Sequence, residues 1–109
     1  MAGKATALSA AEFEAQVLQS EQPVLVDFGA GWCGPCRKIA PEVDAVAEQY
    51  AGRARVFTVD VDKEPDLAAR YGVQGLPTLL VFKGGRPVSQ IVGLVPRSEI
   101  ALKLGVHVG

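Results

Sequence analysis

The only two cysteines of the chain, Cys33 and Cys36, stand between two segments of opposite periodicity. Before them, Pro23–Phe28 is a short apolar run with β-branched Val24 and Val26, the pattern of a strand buried on both faces. After them, apolar residues recur at Ile39, Val43, Val46, Ala47 and Tyr50, the spacing of an amphipathic helix that Gly52 ends. A doubly buried strand that passes through a glycine-rich turn, Gly29–Gly34, into such a helix needs a further layer on its other side, so the class is α/β. Asp27 is the one misfit in the apolar run.

The rest of the chain extends this alternation. Ser9 as N-cap, Glu12 closing a capping box, and Leu8 with Phe13 as a hydrophobic staple predict a helix start, with Phe13 and Val17 on its buried face. Pro41 lies inside the long helix and predicts a kink. Val56–Val61 is expected as a strand, Asp62–Tyr71 as a short helix stopped by Gly72, and Thr78–Phe82 and Val88–Val92 as two strands joined antiparallel through Lys83-Gly84-Gly85-Arg86. Pro96 suits the first position of a last helix, whose inward face is Ile100 and Leu104 before Gly105. A short edge strand near Lys4–Ala7 completes the expectation. It is a single domain over residues 1–109, with a central mixed sheet flanked by helices on both faces and a C-terminal antiparallel hairpin.

Composition excludes several function classes. The 109 residues carry 11 Lys and Arg against 12 Asp and Glu, a net charge of −1 that offers no electrostatic attraction to nucleic acid or to an anionic membrane. The longest uncharged stretch, Tyr71–Phe82, is 12 residues and contains glycine and proline, short of the roughly 18 residues that a membrane-spanning helix requires. Glu12 and Glu14 fall where a secretory signal needs apolar residues, so a cytoplasmic protein is expected. With no heptad and no long apolar stripe, the expected state is a monomer.

Cys33-Gly34-Pro35-Cys36 falls at the junction of strand and helix, and that placement has chemical consequences. Unpaired amide N–H groups and the helix dipole favour a thiolate at Cys33, the species that attacks a disulfide. Cys36, one turn on, faces the same side, and an i, i+3 separation of about 5 to 6 Å between Cα atoms permits a disulfide without unwinding the helix. Pro35 is tolerated in a first turn and stiffens it. As a structural staple, so short a loop would contribute only about 2 kcal/mol. A zinc site would need about four ligands, and His107 near the C-terminus and carboxylates are all that the chain adds to the two thiolates. Redox chemistry is the reading that uses the Gly-Pro spacer and the helix start.

Trp32-Cys33-Gly34-Pro35-Cys36, preceded by Val26-Asp27-Phe28 and followed by Pro41, resembles the thioredoxin family. So do Gly75-Leu76-Pro77-Thr78, the Phe82-Lys83-Gly84-Gly85 hairpin and Val92-Gly93, and the likeness covers nearly the whole chain. The resemblance implies that Cys33 attacks a client disulfide and that Cys36 resolves the mixed disulfide. It implies that Asp27, its pKa raised by burial, takes the proton of Cys36 through water; the alternative is a hydrogen-bonded structural Asp. It implies a cis Pro77 facing the cysteines, with the Leu76 backbone pairing with the client, and a substrate-binding surface of Trp32, Gly34, Pro35, Gly75, Leu76, Pro77 and Gly93, with Leu94 at its margin. Pro77 as a plain strand start, Trp32 as core packing and an unengaged Leu94 are the alternatives.

Two positions depart from the family pattern. Gly29 stands where an aromatic, commonly Trp, follows the Asp-Phe pair, which removes packing near the site; Thr58 stands where a Lys often approaches the buried Asp, and loss of that cation should push the Asp27 pKa upward. Gly34-Pro35 offers no side-chain donor or charge between the cysteines, so the expected role is a protein-disulfide reductase and general electron donor in cell redox homeostasis rather than an oxidase or isomerase. The resemblance implies thioredoxin reductase as recharging partner, disulfide-containing client proteins as substrates, no bound cofactor and no metal. The competing expectation is a binding module that holds a partner irrespective of redox state.

Overall fold

The structure is a computed structural model that describes residues 4–109. Its five-stranded sheet has the order β1 (Thr6–Ala7), β3 (Arg55–Asp60), β2 (Val24–Gly29), β4 (Thr78–Lys83), β5 (Arg86–Val92). The β1, β3 and β2 strands run parallel, whereas β4 is antiparallel to β2 and β5 to β4, so the sheet is mixed. Helices α1 (Ala10–Phe13), α2 (Gly34–Gln49) and α3 (Pro65–Arg70) connect strands, and α4 (Arg97–Gly105) follows the last one.

The β2 strand sits at the centre because Val24–Phe28 is buried throughout and can satisfy a neighbour on each edge. Its alternate side chains serve two cores. Leu25, with Val56, Leu79, Val81 and Ile91, packs beneath Ile39, Val43 and Val46 of α2 and Ile100 and Leu104 of α4. Val24, Val26 and Phe28, with Val59, Leu80 and Phe82, pack against Phe13, Val17, Leu67 and Ala68. On that second face Phe13, Tyr71 and Phe82 form an aromatic trio with centroids 5.1 to 5.6 Å apart. Asp27 is two residues beyond Leu25 and so points to the α2 face, in register with Thr58 on one side and Leu79 on the other.

Local details depart from the sequence-based expectation in several places, among them β5, which begins at Arg86 and not at Val88. The first helix does start at the Ser9–Glu12 box, where the Ser9 N–H donates to Glu12 Oε1 at 3.1 Å, but it is α-helical only to Phe13 and continues as a π-helical turn over Glu14–Leu18. There the Gln19 N–H donates to the Glu14 carbonyl at 2.9 Å, and the wider turn keeps Phe13 and Val17 both buried. The third strand lies at Arg55–Asp60, one residue earlier than expected. The third helix begins at Pro65 rather than Asp62, because Asp60 holds the preceding residues in a turn: its Oδ1 accepts the Asp62 N–H and its carbonyl the Glu64 N–H, both at 2.9 Å. Pro96 is the N-cap of α4 and not its first residue. Elsewhere Pro41 is accommodated within α2 without ending it, and Gly84 and Gly85 at φ +64° and +84° make the tight turn of the β4–β5 hairpin, where positive φ excludes most side chains.

Candidate active site

The end of β2 delivers the chain to the first turn of α2, and the two cysteines are fixed there. Cys33 is the N-cap, with extended backbone, and its Sγ accepts the Cys36 N–H at 3.2 Å, which satisfies one of the amides that a helix start leaves unpaired. The two residues form a disulfide with Cα atoms 5.2 Å apart, and both are buried. Gly34 and Pro35 occupy the first two helical positions. The loop before them is tied from the helix side: the Arg37 guanidinium donates to the Gly31 carbonyl at 2.6 Å, and the Cys33 N–H to the Ala30 carbonyl at 3.1 Å.

Cys33 opens onto a groove of about 500 Å³ whose walls include Trp32, Gly34, Pro35 and Leu76. Trp32 is 69% exposed, so it is not a core residue; its ring is held upright by an Nε1–H bond to Asp62 Oδ2 at 2.8 Å. The Leu76–Pro77 peptide is cis. Beside it the Gly93 N–H donates to the Pro77 carbonyl at 2.8 Å, and Thr78 Oγ1 donates to the Gly75 carbonyl at 2.6 Å. Gly93 holds φ +92°, a conformation that favours glycine, and a Cβ on Gly75 would stand 3.2 Å from Val92 Cγ1, so a side chain there would press on β5. Leu94 is half exposed at the edge of this region.

Asp27 lies behind the disulfide, apart from the Cys33 groove. It is 7% exposed, and its Oδ1 has no hydrogen-bond partner among the described residues. Burial first, and the Asp44 carboxylate second, push its pKa up to about 7. Thr58, its register partner on β3, supplies no cation to oppose that rise. A cavity of about 220 Å³ is lined by Asp27, Gly29, Cys36 and Thr58, and a Cβ on Gly29 would stand 3.3 Å from both Cβ and Sγ of Cys36. Among the described residues no group of three His, Cys, Asp or Glu side chains comes together to hold a metal ion.

Cys33, Trp32, Gly34, Pro35 and Leu76 therefore meet at one groove; Gly75 and Pro77 adjoin Leu76, Gly93 bonds the Pro77 carbonyl, and Cys36 lines a separate cavity with Asp27. Sequence reasoning missed Asp62, which orients Trp32, and Val61, Val73 and Gln74 in the groove wall. It also missed Asp44. No local signal marks these, because their partners are distant in the chain; a carboxylate just past a strand that ends beside the cysteines was the one available hint for Asp62.

A family model described as Thioredoxin matches residues 4–105. Among curated relatives, Thioredoxin 1 of Nostoc sp. is 48% identical over 95 residues, covering 87% of this chain and 89% of that protein. Thioredoxin 1 of Synechococcus elongatus is 47% identical over 103 residues, covering 94% of this chain and 96% of that protein. A solved structure of a mutant thioredoxin from Halobacterium salinarum superposes with a TM-score of 0.88 at 34% identity, covering 99% of this chain and 94% of that one.

Proposed function

The chain belongs to the thioredoxin family, and on that footing we propose that it acts as a protein-disulfide reductase in which Cys33 attacks, Cys36 resolves and Asp27 moves the proton. Its activity is dithiol–disulfide exchange at the Cys33–Cys36 pair, which makes it a thiol–disulfide oxidoreductase. Thioredoxin-fold proteins in general act on disulfide-bearing client proteins and work with reductase partners. For this chain we propose thioredoxin reductase as the recharging partner and extended client segments as substrates, with the chain working as a monomer in the cytoplasm, whose reducing poise suits this direction.

The observation that carries the assignment of roles is the asymmetry of the pair. Cys33 Sγ accepts a helix-start amide and lines the open groove, so negative charge there is stabilised and a client can reach it. Cys36 lies one turn inside, on the side of Asp27. A thiolate at Cys33 attacks the client disulfide, forming a Cys33–client bond and expelling one client thiolate. Cys36 then gives its proton to the Asp27 carboxylate, probed here by the orphaned Oδ1, and its thiolate attacks Cys33 Sγ; the Cys33–Cys36 bond forms as the client leaves with the electron pair. A carboxyl with a pKa near neutrality is half ionised at working pH, which suits it to accept and return a proton. In this reading an extended client segment lies in the groove beside Trp32, with Leu76 offering backbone groups for strand-like pairing.

The reductive direction rests on Gly34-Pro35, which places no donor or charge between the sulfurs. Its test is the dithiol–disulfide equilibrium in a graded glutathione buffer, followed by Trp32 fluorescence and by alkylation of free thiols. A poise clearly more reducing than glutathione is expected. A poise at or above that of glutathione would assign oxidase or isomerase chemistry instead, and a Cys33→Ser variant that retained activity would reduce the protein to a binding module.

A further inference from the structure

Cys36 faces an opening that the client groove does not reach. It lines the cavity of about 220 Å³ with Asp27, Gly29 and Thr58, and this cavity shares no lining residue with the groove beside Trp32. Arg37 and Ala40, both exposed on α2, stand at its mouth. The sulfur is uncovered on this side because residue 29 has no side chain: a Cβ there would stand 3.3 Å from Cys36 Sγ and 3.9 Å from Asp27 Oδ1. An atom in that place therefore touches the sulfur and the carboxylate together. Asp27 Oδ1 is buried with no hydrogen-bond partner among the described residues, although buried carboxylate oxygens are regularly paired, so an occupant that donates to it is favoured. A small molecule that donates there, presents an electrophilic atom to Cys36 and carries a leaving group able to take a proton meets the chemistry of the lining. Hydroperoxides have all three properties.

We propose that the reduced protein decomposes small hydroperoxides in this cavity, with the roles of the cysteines exchanged: Cys36 attacks the peroxide and Cys33 closes the disulfide. The proposal rests on the reading of Asp27 as the base for Cys36. The Cys36 thiol gives its proton to the Asp27 carboxylate, and the thiolate attacks the OH-bearing oxygen of the hydroperoxide. The S–O bond forms as the O–O bond breaks. The departing alkoxide, or hydroxide where the substrate is hydrogen peroxide, takes the proton back from Asp27 and leaves as alcohol or water. Cys36 is then a sulfenic acid. The Cys33 thiolate attacks Cys36 Sγ, the S–S bond forms, and hydroxide leaves with the S–O electron pair and becomes water with the proton lost by Cys33. One hydroperoxide is reduced, and the dithiol becomes the same disulfide that client reduction yields, so the same reductant recharges it. Thr58, paired in register with Asp27, and Arg37, which gives one of its five N–H groups to the Gly31 carbonyl, supply donors for the departing oxygen.

Cys33→Ser leaves Cys36 as the only thiol, and its reaction with hydrogen peroxide at neutral pH is followed by mass spectrometry as the gain of one oxygen. The reference is the same variant unfolded in urea. An enclosed thiol with no site around it is protected by folding and reacts more slowly folded than unfolded. With a positioned base the folded variant is expected to react about 100-fold faster than the unfolded one, the scale of acid–base assistance. Ala40→Leu, added at the exposed mouth of the cavity, is expected to remove most of that gain. A folded thiol no faster than the unfolded one, or a gain that survives Ala40→Leu, would overturn the proposal. Asp27→Asn separates the proposal from its premise. Client resolution at the wild-type rate in that variant would overturn the base reading itself, whereas slowed resolution with the peroxide gain intact would overturn the peroxide site alone.

Discussion

Replacing Asp27 by Asn should stabilise the oxidised protein, by an amount that grows from about pH 4 and levels off above about pH 7. The folded state raises the carboxyl pKa from 3.8 to about 7, chiefly through burial. Below about pH 4 the folded and unfolded chains both carry the neutral acid, and the site contributes no penalty. Between about 4 and 7 the unfolded chain ionises while the folded chain keeps its proton, so stability falls as pH rises; above the folded pKa the full difference is lost. The interval from 3.8 to about 7, at about 1.4 kcal/mol per pH unit, amounts to about 4 kcal/mol for a carboxyl that is 7% exposed. An Asn cannot ionise, so its own burial cost is constant with pH. The assay is urea unfolding of both oxidised proteins at intervals from pH 4 to pH 9, with attention to the difference between the two curves, in which the other titrating groups cancel. The wild type should lose about 4 kcal/mol relative to Asp27→Asn across the range, with most of the change below pH 7. Parallel curves would refute the reasoning, since they would mean that Asp27 ionises in the folded chain as easily as in the unfolded one.

Asp27→Asn should also slow resolution of a mixed disulfide more than the initial attack, as stopped-flow fluorescence can show; equal slowing of both steps would move Asp27 from Cys36 to Cys33. Cys36→Ser should trap a covalent client adduct visible by mass spectrometry, whereas Cys33→Ser should form none. Asp62→Ala removes the Trp32 Nε1–H partner at 2.8 Å and should cost about 0.5 to 1.5 kcal/mol or less at this exposed site, together with a change in Trp32 emission and a higher KM for client disulfides. Phe13→Ala deletes a buried member of the aromatic trio and should destabilise by about 3 to 5 kcal/mol in urea unfolding without altering the pH profile of resolution.

The fold was legible wherever a signal was local. The continuous apolar Val24–Phe28 and the spacing from Ile39 to Ala47 each name a strand and a helix, and Gly84-Gly85 and the Ser9–Glu12 box name a turn and a helix start. The boundaries that moved are governed by bonds that a periodicity cannot see. Asp60 captures the amides of Asp62 and Glu64 and so delays α3, and the bond from Gln19 to Glu14 widens the first helix after Phe13. The site divides in the same way. Cys33, Cys36 and Asp27 were legible because chemistry and pattern coincide at adjacent positions, and Trp32 was legible only through resemblance. Its anchor Asp62 is 30 residues away and depends on how the turn after β3, held by Asp60, is set beside the cysteines.

The disulfide closes its ring within one turn of α2, across a sequence separation of 3. A ring so small constrains few conformations of the unfolded chain, about 2 kcal/mol in loop-closure entropy, so the disulfide is a minor part of what holds the fold, most of which lies in the two hydrophobic layers. Substitutions in either hydrophobic layer can therefore change how firmly the scaffold holds without retuning the affinity of the pair for electrons. The scaffold is free to drift for durability while its redox set point is governed by the few atoms around two sulfurs.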